Sequence, residues 1–108
     1  MIIVETFNCV DGFHFYPEAP QEVAFLRNSH RHQFHIRTTF QVEDSNREIE
    51  IFIMQEKIKT FLEGKYGSPC DFQNMSCEMI AQDICDHFSA MKCMVLEDGC
   101  GGGGYVRG

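Results

Sequence analysis

The run HRHQFHIRTTFQV, from His30 to Val42, alternates in character with no glycine or proline to interrupt it. In an extended chain His30, His32, Phe34, Ile36 and Thr38 share one face, and Arg31, Gln33, His35, Arg37 and Thr39 share the other. A long strand patterned this way is stable only where its apolar face is covered, so the chain must build a sheet with something packed against one side.

The neighbouring text completes an α+β order. Ile2 to Phe7 is β-branched and apolar and predicts a first strand, continuing past a kink at Asp11-Gly12 as far as Phe15. The prolines of YPEAPQE place a loop before the long strand. Glu43-Asp44-Ser45-Asn46 reads as a turn, and the alternation from Glu48 to Met54 predicts a hairpin partner strand. The period then changes: Ile58, Phe61 and Leu62 are spaced for a helix over Gln55 to Tyr66, with Gly64 and Gly67 marking its end. Ser76 is a candidate cap for a second helix, with Ile80, Ile84, His87 and Phe88 as its buried stripe. Lys92 to Glu97 predicts another strand, and a short final strand is expected after the glycines Gly101 to Gly104. Segregated strands and helices indicate an antiparallel sheet in one domain spanning residues 1–108.

Sixteen acidic against nine basic residues give a net charge of −7, with no basic stripe for nucleic acid or an anionic membrane. The apolar runs are too short to span a bilayer, and MIIVETFN lacks the features of a secretion signal. A cytoplasmic protein is expected. The six cysteines, Cys9, Cys70, Cys77, Cys85, Cys93 and Cys100, include no CxxC pair and read as free thiols, several of them small buried groups.

The H-x-H spacing of His30 and His32 places two imidazoles on one strand face about 6.5–7 Å apart, close enough to share one ion. A third ligand must come from elsewhere. His14, His35, His87 and the cysteines are the candidates. A regular strand turns His35 to the other face, His87 belongs to a helix, and His14 sits on a strand that could lie alongside.

Taken in order, these motifs resemble the family of 6-pyruvoyltetrahydropterin synthase and the 6-carboxytetrahydropterin synthase of queuosine biosynthesis. FNCVDGFHFYP is similar to the family's first strand, with His14 at its histidine. His30-Arg31-His32 is similar to H-G-H, Ile58-Lys59 fits the following helix, and Asn74-Met75-Ser76-Cys77-Glu78 resembles an N-P-T-S-E helix start. MVLED with Glu97, and then Tyr105-Val106-Arg107, resembles the last strands. The resemblance implies a tunnelling fold, in which subunits carrying two helices on one sheet face join into a barrel, as a homotrimer or homohexamer. It implies Zn2+ on His14, His30 and His32, and a pterin or purine-like ligand held by Glu97 with Glu78 in support. A carboxylate can accept two parallel N–H bonds from a guanidine-like edge. The implied activity is that of a carbon–oxygen lyase acting on a dihydroneopterin-triphosphate-like substrate.

The chain departs from the family where the chemistry is done. No cysteine precedes His30; Arg27-Asn28-Ser29 stand there. Asp71 matches the family's catalytic aspartate, but Phe72 replaces the histidine beside it, and Arg31 replaces the central glycine of H-G-H. Cys70, Glu22 and Cys9 are the residues that could supply a displaced base. A non-catalytic pterin- or purine-binding protein on the same scaffold is the alternative expectation.

Overall fold

In the computed structural model, which describes residues 1–108, the chain begins with two strands paired along their whole length. β1 (Ile2–His14) runs antiparallel to β2 (His30–Val42), from Ile2 opposite Val42 to His14 opposite His30. A 3-10 turn, Gln21–Arg27, lies in the connection. The chain continues through α1 (Ile51–Tyr66), β3 (Cys70–Asp71), α2 (Cys77–Phe88), β4 (Lys92–Glu97) and β5 (Gly101–Val106). The sheet order is β3-β1-β2-β4-β5. The architecture is α+β as expected, but the sheet is mixed rather than wholly antiparallel, because β3 joins β1 in parallel at Gly12 and Phe13.

Three expectations need correction. Glu48 to Met54 is not a strand: β2 is flanked by β1 and β4, so neither of its edges is free for a hairpin partner. Instead Glu48 accepts the amides of Glu43 and Asp44, and Glu50 caps the amide of Ile53 at 2.8 Å, starting α1 at Ile51. Second, β1 has no kink at Gly12; its strand and register run unbroken. The glycine serves packing, since a Cβ there would lie 2.9 Å from the Phe72 ring and 3.0 Å from both the Cys70 carbonyl oxygen and the Phe34 ring. Third, His87 is exposed rather than in a buried stripe, and stacks on Phe61 at 4.1 Å.

One buried cluster joins the inner sheet face to both helices. β2 contributes Phe34, Ile36 and Phe40, and β4 contributes Cys93 and Val95. α1 buries Ile58 and Leu62, whereas α2 buries Cys77, Ile80, Ala81, Ile84 and Cys85. At roughly 1.5–3 kcal/mol for each large side chain removed from water, α2 is the more firmly seated helix. Ser76 caps it, accepting from the Met79 amide at 3.1 Å. The outer sheet face is left open, with Ile3 and Phe7 exposed on β1. No helix is long and apolar enough to cross a membrane.

The glycines form a real strand, β5, and two of them are required by close approach to backbone. A side chain at Gly102 would collide with the Val95 carbonyl of β4 and one at Gly104 with the Cys93 carbonyl, whereas one at Gly103 would meet only the exposed Glu78 side chain of α2.

Candidate metal centre

The unbroken register of β1 and β2 delivers the third histidine. Because His14 stands opposite His30, its side chain joins those of His30 and His32 on the inner face at one end of the sheet. The ring centroids are 4.6 Å apart for His14 and His30, 4.9 Å for His30 and His32, and 5.4 Å for His14 and His32. β4 adds a carboxylate: Phe34 pairs with Glu97, which puts Glu97 beside the group. One ligand atom from each of His14, His30, His32 and Glu97 lies within 4.8 Å of the others. Ligands of a tetrahedral ion with Zn–N near 2.0–2.1 Å stand about 3.3 Å apart, so small side-chain movements would close the group on one ion. Phe34 forms the floor, edge-on to His14 at 5.3 Å and to His32 at 5.7 Å, and is backed by Phe72.

The outward ring nitrogens decide what the inward ones can do. His14 Nδ1 lies 2.9 Å from the Met75 carbonyl oxygen, and His30 Nδ1 lies 2.9 Å from that of Asn28. His32 Nδ1 lies 2.8 Å from Asp98 Oδ2. Carbonyls and carboxylates only accept, so each Nδ1 carries the proton and donates. A neutral imidazole protonated there has its lone pair on Nε2. Three Nε2 lone pairs therefore face the same space, which is the tautomer a metal-binding histidine needs.

The interior of the group is otherwise unsatisfied. His14 Nε2 and His32 Nε2 are buried without a hydrogen-bond partner. Glu97 Oε2 approaches His14 Nε2 to 2.9 Å, and Glu97 Oε1 is 3.7 Å from His32 Nε2, but neither contact has hydrogen-bond alignment. A lone pair facing a carboxylate oxygen is repulsive unless a proton or a cation lies between them. The donor set fits a metal ion. His14, His30 and His32 would hold it, with Glu97 at hand as a fourth ligand.

Surrounding groups steady this arrangement. The Cys77 thiol donates to Glu97 Oε2 at 3.7 Å, and burial, reinforced by the Glu97 charge, pushes its pKa up to about 12, so it remains a thiol. Asp98 is held below the usual carboxylate value by the Gln33 amide and then by His32. Beside the histidines opens a cavity of about 570 Å³, whose polar lining includes Glu18, Asn74, Glu78 and Glu97. The loop above it is tied shut: Tyr16 N–H donates to the Leu26 carbonyl at 2.7 Å, and Arg27 forks onto the Ala19 carbonyl at 2.9 and 2.7 Å.

Of the residues named from sequence, His14, His30, His32 and Glu97 come together, and Glu78 lines the adjoining cavity. Asp71 does not join them; it is exposed, and its carboxylate accepts from the Gln73 amide. Cys70 is buried, with its thiol directed at the Leu62 carbonyl and its pKa raised by burial to about 11. Cys9 lies opposite His35 on the outer face, and Glu22 does not line the cavity. Phe72, in place of the expected histidine, is core. Sequence reasoning missed Asp98, which it sees only as the residue following β4. Its role depends on the β2–β4 register, which no local pattern encodes.

A comparison with protein-family models returns no match, and a comparison with curated proteins returns none either. The fold and the side chains together define an α+β domain with a three-histidine, one-carboxylate group that could hold a metal ion.

Proposed function

We propose that the protein binds Zn2+ through His14, His30 and His32, on a scaffold of the pterin-synthase type, and acts on a pterin or purine-like small molecule. The observation that carries this reading is the convergence of three Nε2 atoms whose outward nitrogens all face acceptors. A nitrogen-rich donor set suits zinc better than the hard, oxygen-seeking cations. When bound, the ion would supply Lewis acidity toward a substrate oxygen. Glu97 and Glu78 face the cavity from β4 and α2 and would accept N–H donors from the edge of a heterocycle. In its catalytic form the protein is a carbon–oxygen lyase taking a dihydroneopterin-triphosphate-like substrate.

The alternative, a binding protein without turnover, has its own support. The place of the family's base holds Arg27, which is committed to Ala19, and Cys77 stays protonated beside Glu97. A general base must be deprotonated and within reach of the proton it takes.

Self-association is part of the proposal. β1 is unpaired by any strand on its outer side from Ile2 to Asp11, and β5 forms the other sheet edge. Two exposed edges and the open apolar face that carries Ile3 and Phe7 favour assembly of copies into a trimer or hexamer. Metal analysis of purified protein with its mass in solution tests the scaffold, with stoichiometric zinc in an oligomer as the expected result. An assay with a dihydropterin triphosphate separates the two forms. Turnover lost in Glu97→Gln supports the lyase, whereas ligand-dependent thermal stabilisation without turnover supports the binding protein. Absence of bound zinc at saturating metal sinks the reading.

A further inference from the structure

Of the three histidines, only His32 has its outward nitrogen held by a side chain. His14 and His30 donate to backbone carbonyls, whose acceptor character no substitution at Met75 or Asn28 removes. His32 instead relies on Asp98, and Asp98 is itself firmly placed. Its Oδ1 accepts the Gln33 amide at 2.9 Å, and its own amide donates to the Gln33 carbonyl at 2.8 Å, so residue and strand clasp each other reciprocally. The clasp sits where β4 turns toward β5, with Asp98 in the left-handed region at φ 54° and Gly99 at φ 73°. Aspartate and asparagine tolerate that conformation better than other side chains that carry a Cβ.

We propose that Asp98 is a positioning residue of the metal centre: its carboxylate keeps the His32 proton on Nδ1 and so keeps the Nε2 lone pair directed at the metal. This rests on the metal reading above. An imidazole left without a fixed acceptor can place its proton on either nitrogen, and the form protonated on Nε2 has no lone pair there to offer the metal. A carboxylate that only accepts removes that choice. Each of its oxygens serves one donor, Oδ1 the backbone of β2 and Oδ2 the ring. Asp98 thus ties the orientation of one ligand to the strand that carries two of them.

The informative variant is Asp98→Asn, which keeps size and left-handed backbone. An amide has one accepting oxygen. If it serves the Gln33 amide, its NH2 faces His32 Nδ1 and favours the tautomer with the proton on Nε2. Nitrogen-15 NMR of the imidazoles, in metal-free protein at about pH 8, reads this directly. Wild-type His32 should carry its proton on Nδ1, whereas the variant should shift it toward Nε2, with His14 and His30 unchanged. Zinc affinity, measured by competition with a chromophoric chelator, should fall about 10–100-fold with an unchanged far-UV spectrum. Wild-type His32 protonated on Nε2 would overturn the proposal before any variant is made. An Asp98→Asn protein with unaltered tautomer and affinity would overturn it as well. Wild-type protein that shows the Nδ1 proton but takes up no zinc would instead remove the metal reading, and leave the tautomer assignment in place.

Discussion

Zinc should raise the melting temperature of the wild-type protein, and His30→Ala should abolish the rise. His30 is the suitable position because it is only half-buried and opens its strand, with its Nδ1 bonded to the nearby Asn28 carbonyl, so its loss disturbs the core little. A metal that binds only the folded chain, at a free concentration one hundred times its dissociation constant, stabilises it by about 2.7 kcal/mol. The entropy of unfolding, about 2.1 cal/mol/K per residue, comes to about 230 cal/mol/K for a chain of 108 residues. The quotient is a rise of about 12 °C. This is an upper bound, because the unfolded chain offers six cysteines and five histidines to the same ion. The assay is differential scanning calorimetry of chelator-stripped protein in metal-buffered solution, with His32→Ala alongside. A rise that survives both substitutions would place the metal outside the His30–His32 pair. No rise in the wild type at millimolar zinc would refute the site.

Other outcomes follow from the same geometry. Burial raises the Cys70 and Cys85 thiols to about 11 and those of Cys77 and Cys93 to about 12, all from 9.0. Between pH 9 and those values the unfolded chain has lost protons that the fold retains, so stability falls as pH rises. Each thiol removes up to about 1.4 kcal/mol per pH unit. Urea midpoints should drop steeply above about pH 8.5, and a profile that stays flat from there to about pH 10.5 would contradict the burial. Ellman's reagent should titrate Cys9 and Cys100 quickly in native protein and the other four only on unfolding, since those two alone are exposed. Gly104→Ala drives a methyl group toward the Cys93 carbonyl oxygen of β4 and should cost about 1–3 kcal/mol in urea denaturation. Its zinc affinity should stay within about twofold, because Gly104 pairs with Met94, outside the metal group.

The sequence makes some of this architecture legible and hides the rest for identifiable reasons. β2 declares itself through a period of two that buries Phe34, Ile36 and Thr38 as expected. α2 declares itself through Ser76 and its apolar spacing. The start of α1 misleads because Glu48-Ile49-Glu50-Ile51 alternates like a strand, although β2, which it follows, is already paired on both sides. Propensity yields there to topology. His30 and His32 can be paired from their spacing alone, whereas bringing His14 to them depends on a strand register that local sequence does not specify. Asp98 depends on a second register, between β2 and β4, at a greater distance along the chain. Gly101 to Gly104 resemble a slack connection because a strand without side chains leaves no pattern to read.

The continuous pairing of β1 with β2 also sets how this protein can change by descent. The segment joining His14 to His30 can lengthen or shorten without moving either residue, because the ladder of thirteen strand pairs, not the connection, aligns them. A single residue inserted inside either strand would turn one histidine to the opposite face and dissolve the group at once. Insertions and deletions accumulated over time should therefore crowd into the Phe15 to Ser29 loop, while both strands keep their length.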